Sequence, residues 1–318
     1  MLFDILVLIA GLVGLVVAGD LLVRGAVALA ERLGIPPLII GLTIVAFGTS
    51  APELMVSVRA ALDNASGIAI GNVVGSNIAN ILLVLGVPSL FAASDCCAEG
   101  TKRATVAMLL ATALFIALAF TGPLTIWHGA VLLTGLALFI AQSAHTARRQ
   151  SQSELETVDG VEGVPQKLWV TLAFILAGLI GLPLAAGWTV DAATAIARVI
   201  GISETVIGLS IVAIGTSLPE LATTLVAALR GQGAVGVGNV IGSNVFNLLS
   251  ILGITALIAD LPVPAEILNF DLWVMLASAL LLVPFVFLMK PIGKVAGAAF
   301  TGLYVLYLVI IFVNGASA

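Results

Sequence analysis

Two glutamates stand inside strongly apolar stretches of this chain, each within the same run of polar residues. Glu53 closes the segment Gly48-Thr49-Ser50-Ala51-Pro52-Glu53, and Glu220 closes Gly215-Thr216-Ser217-Leu218-Pro219-Glu220. Downstream of the first, Asn72, Ser76 and Asn80 recur at four-residue intervals; downstream of the second, so do Asn239, Ser243 and Asn247. Carboxylates, hydroxyls and amides are all oxygen donors. No Cys, His or Met joins them in the sequence pattern, which argues against soft or borderline transition metals and for hard cations such as sodium, calcium or magnesium. Magnesium is the weaker candidate, because it sheds water reluctantly; calcium takes about six to eight oxygens in flexible geometry.

Local spacing adds to that donor set. Thr49 and Ser50 precede Glu53 by four and three residues, so a helix presents all three on one side, and Thr216, Ser217 and Glu220 repeat the arrangement. Pro52 and Pro219 each remove the backbone hydrogen bond to the carbonyl four residues earlier, that of Gly48 or Gly215. In lipid, such a loosened carbonyl is tolerated only where it lines a cavity or finds another partner. Each Asn-Ser-Asn stripe lies on one helix face beside small residues, Gly71 and Gly75 or Gly238 and Gly242, a spacing that lets helix backbones approach closely. For Asn72, Asn77, Asn239 and Asn244, interhelical hydrogen bonding is as good a reading as ion contact. Ser76, Ser243, Asn80 and Asn247 are the better ion-facing candidates.

These residues sit in a duplication. Gly41–Gly86 and Gly208–Gly253 align without a gap at a constant offset of 167, with about half the paired positions identical. The elements around them are membrane helices: 61% of the 318 residues are hydrophobic and 9% charged, against about 25% charged in soluble domains. Apolar runs of about 20 residues, enough to cross the hydrocarbon, fall near 2–28, 38–60, 68–91, 104–120, 127–146, 168–197, 205–228, 235–259, 270–288 and 295–313. The expected fold is an all-α polytopic membrane protein of ten transmembrane helices, with a first half over 1–147, a flexible, mildly acidic linker over 148–167 and a second half over 168–318. Five spans separate each segment from its copy. Since five is odd, the repeats run in opposite directions, as in transporters built from two inverted halves around a midplane site. Glu53 and Glu220 then converge. Two ionised carboxylates there cost at least about 2.5 kcal/mol each, so they need a cation; a role as mere packing devices fits poorly with a duplication that kept both acids and their polar surroundings.

The Lys/Arg distribution orients the chain. With both termini outside, Arg32, Lys102, Arg103, Arg148, Arg149, Lys167, Arg230, Lys290 and Lys294 are cytoplasmic, and only Arg59 and Arg198 lie outside. The opening Met1–Gly11 lacks a basic n-region, so the first helix is not expected to be a cleaved signal. Adjacent Cys96 and Cys97 fall in a cytoplasmic loop where thiols stay reduced. In the first helix, Asp20 and Arg24 have the spacing of an ion pair, with a part in gating as the alternative. Phosphate-loop, dinucleotide and nucleophile-elbow signatures are missing, so nothing points to an enzyme, a cofactor, a nucleic acid or a protein partner.

The paired motifs GTSAPE with GNVVGSN and GTSLPE with GNVIGSN resemble the two α-repeats of the sodium/calcium exchanger group, prokaryotic type, within the cation/calcium exchanger superfamily. The resemblance extends over all ten expected helices. It implies an inner-membrane antiporter that exchanges sodium for calcium by alternating access. It implies that Glu53 and Glu220 ligate calcium and share the sodium sites, with backbone oxygens of Thr49 and Thr216 completing calcium coordination. Ser50, Ser217, Ser76, Ser243 and the carbonyls of Ala46 and Ala213 are implied to line sodium sites, with Asn80 and Asn247 at the middle. The long first and sixth helices are implied to slide across the rest. Archaeal and potassium-dependent members usually carry Asp where this chain has Asn247, whereas potassium-independent animal exchangers carry Asn. Proton-coupled relatives tend to have an acid within the segment reading GNVVGSN here, which favours sodium coupling. Proton/calcium antiport on the same fold, and a non-transporting scaffold, are the competing readings.

Overall fold

The computed structural model describes residues 1–150, 165–200 and 213–315. Most of the expected linker, at 151–164, and the start of the expected seventh span, at 205–212, lie outside the described residues. Among the described residues the protein is all-helical, with two isolated β-bridges between loops.

The long helices are α1 (Leu2–Leu33), a broken pair α2 (Pro37–Thr49) and α3 (Ala51–Leu62), α4 (Ser66–Phe91), α5 (Thr101–Ala119), α6 (Ile126–Gln150) and α7 (Leu168–Val199). The short α8 (Ala213–Gly215) and α9 (Leu218–Leu229) follow, then α10 (Gly233–Ile258), α11 (Ile267–Phe287) and α12 (Lys294–Gly315). Eight are long and apolar enough to cross a membrane, and the bent α2–α3 pair makes a ninth among the described residues. The protein is a multi-pass integral membrane protein. α1 runs past the expected end at 28. It stops where Gly34 turns left-handed (φ 62°), with the Gly34 and Ile35 N–H groups donating to Glu31 and Ala30 carbonyls, so the cap and not the end of the apolar run sets the boundary.

Burial sorts the helices into layers. In its most apolar window α10 is 83% buried and α4 72%, against 28% for α1 and α7, so the two Asn-Ser-Asn helices are the centre and α1 with α7 stand at the edge. The core cluster joins Ile70, Val73, Ile78 and Ile81 of α4 to Val237, Ile241, Val245 and Leu248 of α10. Backbones meet closely where glycine permits. A Cβ on Gly238 would lie 2.6 Å from the Leu38 carbonyl oxygen, and one on Gly242 2.6 Å from that of Leu42, which welds α2 to α10. α1 and α7 pack along one another in the same way, through Gly11 against Thr189 and Gly178 against Leu22.

Loops pair across the sequence. Ser94 bridges Ile292, Leu124 bridges Leu261, and Gly233 packs against the backbone of Asp95. In the loop after α4, burial pushes the Cys96 thiol up to about 12, and Cys97 is half-buried. No group of three or more His, Cys, Asp and Glu able to hold a metal exists among the described residues, so the cysteine pair gains no further ligands.

Candidate functional site

The α2–α3 helix breaks at Ser50, which has φ −80° and ψ 4°, and the two parts are bent by 43°. Proline explains the position: Pro52 has no N–H to give Gly48, while Ser50 N–H still reaches the Ala46 carbonyl at 3.1 Å. Ser217 takes the same conformation (φ −87°, ψ 4°) at the head of α9, but its N–H reaches Ile214, one residue nearer, at 3.1 Å. The break corrects the expectation that Thr49, Ser50 and Glu53 share one face of a continuous helix. Thr49 ends one helix and Glu53 lies in the first turn of the next.

Both glutamates are wholly buried, Glu53 at 1% and Glu220 at 0% exposure. A matched anchor holds each turn. Asn72 Nδ2 donates to the Glu53 carbonyl (3.2 Å) and Ser57 Oγ (2.9 Å), and Asn239 Nδ2 to the Glu220 carbonyl (3.5 Å) and Thr224 Oγ1 (3.2 Å). These two asparagines are therefore structural. Ser57 and Thr224 were missed from sequence, although the repeat alignment already set hydroxyl against hydroxyl there.

Contacts then cross between the halves. Ser50 Oγ donates to Glu220 Oε1 at 3.3 Å, and Thr49 Oγ1 donates to Asn239 Oδ1 at 3.1 Å with Ser243 Oγ at 3.4 Å. Asn80 Nδ2 donates to Asn244 Oδ1 at 3.1 Å. Ser76 and Ser243 are buried, Thr216 is half-buried, Ala46 is buried with its carbonyl accepting from Ser50, and Ala213 heads α8 with its side chain outside the described set. One expectation needs amending, that no Met approaches: Met108 Sδ lies 3.6 Å from Asn244 Nδ2. There the thioether accepts from an amide, a contact no sequence signal announces.

What distinguishes this region is its unanswered oxygen. Both carboxylate oxygens of Glu53, Oε2 of Glu220, Ser217 Oγ, Thr223 Oγ1, and the amide oxygens of Asn77, Asn80 and Asn247 are buried without a hydrogen-bond partner among the described residues. Neither glutamate is paired with a basic side chain there. Buried acceptors of this density are costly unless a positive group meets them, and a small hard cation suits an all-oxygen set.

The family model for sodium/calcium exchanger protein matches residues 3–144 and 170–313. The chain belongs to the sodium/calcium exchanger family. Among its relatives, the inner membrane protein YrbG of Escherichia coli is 36% identical over 98% of both chains. The sodium/calcium exchanger MaX1 of Methanosarcina acetivorans is 35% identical over 97% of this chain and 98% of its own. Among solved structures, the sodium-calcium exchanger NCX_Mj superposes with a TM-score of 0.84 at 32% identity, covering 98% of this chain and 99% of that one. The chain is a membrane transporter of that family.

Proposed function

We propose that this protein is a secondary antiporter in which sodium moving down its gradient drives calcium the other way through one central site. One observation carries the reading: two fully buried carboxylates, one from each half, without cationic partners among the described residues and surrounded by orphaned oxygens. Glu53 and Glu220 are the charged ligands, Thr49 and Thr216 add backbone oxygen, and Ser50, Ser217, Ser76, Ser243, Ala46 and Ala213 border the sodium positions, with Asn80 and Asn247 in the middle. Calcium and sodium compete for these oxygens.

Ten spans in two inverted halves are supported by the pairing of loops. Two loops can touch only if the chain crosses the membrane an even number of times between them. Ser94 with Ile292, Leu124 with Leu261, and Asp95 with Gly233 all satisfy this when the chain between Val199 and Gly233 crosses once. The repeat offset of 167 also carries Ser94 and Ile292 onto Leu261 and Thr125, one residue from the second bridge. Both termini are then on one side, which the Lys/Arg asymmetry makes the outside of the inner membrane.

The test is calcium uptake by vesicles containing the purified protein, under a sodium gradient or a proton gradient imposed separately. Sodium-driven uptake is expected. Proton-driven uptake alone assigns proton/calcium exchange, and no uptake under either gradient leaves a scaffold. If three sodium ions replace one calcium, one net charge moves per cycle and a membrane potential biases exchange by about 2.3 kcal/mol per 100 mV.

A further inference from the structure

The central amides are used unequally. Asn80 Nδ2 is bonded to Asn244 Oδ1 at 3.1 Å, and Asn244 Nδ2 in turn faces the Asn77 carbonyl (3.4 Å) and Met108 Sδ (3.6 Å). The offset of 167 turns Asn80 into Asn247, Asn244 into Asn77, and Met108 into Met275. The same operation therefore draws a second set of contacts: Asn247 Nδ2 to Asn77 Oδ1, and Asn77 Nδ2 toward the Asn244 carbonyl and Met275 Sδ. Every residue of that second set is present and buried, Asn77 and Asn247 at 1% exposure and Met275 at 2%. Among the described residues none of its bonds is made. Asn247 Nδ2 and Asn77 Oδ1, the donor and acceptor that it would join, are both orphaned, and Asn77 Nδ2 turns back onto its own helix at the Val73 carbonyl, 2.7 Å away.

We infer that Asn77 and Asn244 are positioning residues that hold the two central asparagines alternately: Asn244 grips Asn80 in the access state seen here, and Asn77 grips Asn247 in the opposite one. This rests on the antiporter reading, in which inverted halves exchange conformations between states. A buried amide without a partner is unfavourable, so two mirror-related sets of which only one is satisfied make a two-position element. The gripped asparagine has its amide fixed, and the released one is free to turn its oxygen toward an ion. Asn244 and Asn77 thus decide which half lends the mobile amide oxygen in each state.

Vesicles of right-side-out and inside-out orientation test this by giving the half-saturating calcium concentration at each face. Asn244→Ala removes the grip of the present state and Asn77→Ala that of the opposite state, so the ratio between faces should move in opposite directions, by about threefold or more each way. The double variant should return toward the wild-type ratio. Shifts of the same sign, or none in either single variant, overturn the inference while leaving the antiporter reading intact. Wild-type vesicles that exchange no calcium overturn that reading, and this inference with it. Should an alanine variant fail to fold, Met108→Leu and Met275→Leu, which conserve volume, must show the same opposed signs at smaller size, and like signs or no shift in this pair equally overturn the inference.

Discussion

The two halves carry nearly the same polar residues and use them differently. In the first, Glu53 has neither carboxylate oxygen bonded; in the second, Glu220 Oε1 accepts from Ser50, a residue of the opposite half. Thr49 is buried and bonded across to α10, while its counterpart Thr216 is half-buried. The bonds by which Asn72 and Asn239 hold the two glutamate turns are matched. Duplication thus fixes where each glutamate turn is held, and the conformation of the moment decides which oxygens are engaged.

If the site is shared despite that inequality, the two acids must matter equally. Glu53→Gln and Glu220→Gln should each reduce calcium exchange to the background of protein-free vesicles while the protein still elutes as a folded species, since each keeps shape and loses a charge facing a divalent ion. A variant retaining near-normal exchange would assign the site to one half. Asn247→Asp comes next, because Asn247 has both amide atoms free while Asn80 is held. A third carboxylate crowding two others favours protonation, so exchange should gain a dependence on pH, falling on acidification, or on potassium. A variant matching wild type in both responses would place Asn247 away from the ions.

Packing differences set stability. Gly242→Val drives a side chain into the Leu42 backbone and should cost about 1–3 kcal/mol or more in thermal unfolding. A cost within about 0.5 kcal/mol would show that α2 and α10 do not depend on their close approach at Gly242. Among the anchors, Asn239→Ala should be worse than Asn72→Ala. Asn239 also accepts from Thr49, one bond more, worth about 0.5–1.5 kcal/mol. Identical melting shifts would show that the Thr49 bond contributes nothing.

The long apolar helices and their order were legible because apolar length is written along the chain, and contact between the halves at Ser50 and Glu220 because the gapless repetition is written there too. The bend was legible too, since Pro52 and Pro219 carry their own cause. What escaped depends on atoms brought together from distant stretches. Helical spacing treated Thr49 and Glu53 as one continuous helix, and the break at Ser50 divides them between two. Four-residue spacing through Asn80 gave no hint that a π-helical turn begins there, where Leu85 N–H bonds Asn80 O five residues back, and again at Asn247, where Leu252 N–H bonds Asn247 O. Met108 beside Asn244 follows from packing of α5 on α10, which no local pattern encodes.

The smallest effect concerns a contact that the repeat does not duplicate. Asp20 of α1 pairs with Arg24 at 3.4 Å and with Arg230 at the end of α9. The offset of 167 equates Asp20 with Gly187 and Arg230 with Asp63, so the second half has no equivalent bond; Asp63 pairs instead with Arg59 at 2.8 Å. A one-sided tie from α1 to α9 favours the access state that makes it. Its worth is limited, because the side chains of Asp20 and Arg230 are 23% and 31% exposed, and such pairs contribute about 0–1 kcal/mol. Arg230→Gln leaves Asp20 with Arg24, so no carboxylate is stranded, and the melting temperature should barely move. The ratio of calcium affinities at the two faces should still shift, by about fivefold at most for 1 kcal/mol, whereas Arg59→Gln at the exposed pair should leave it unchanged. Equal responses from the two variants would show that the Asp20 contact is surface charge and not a tie between α1 and the ion-binding half.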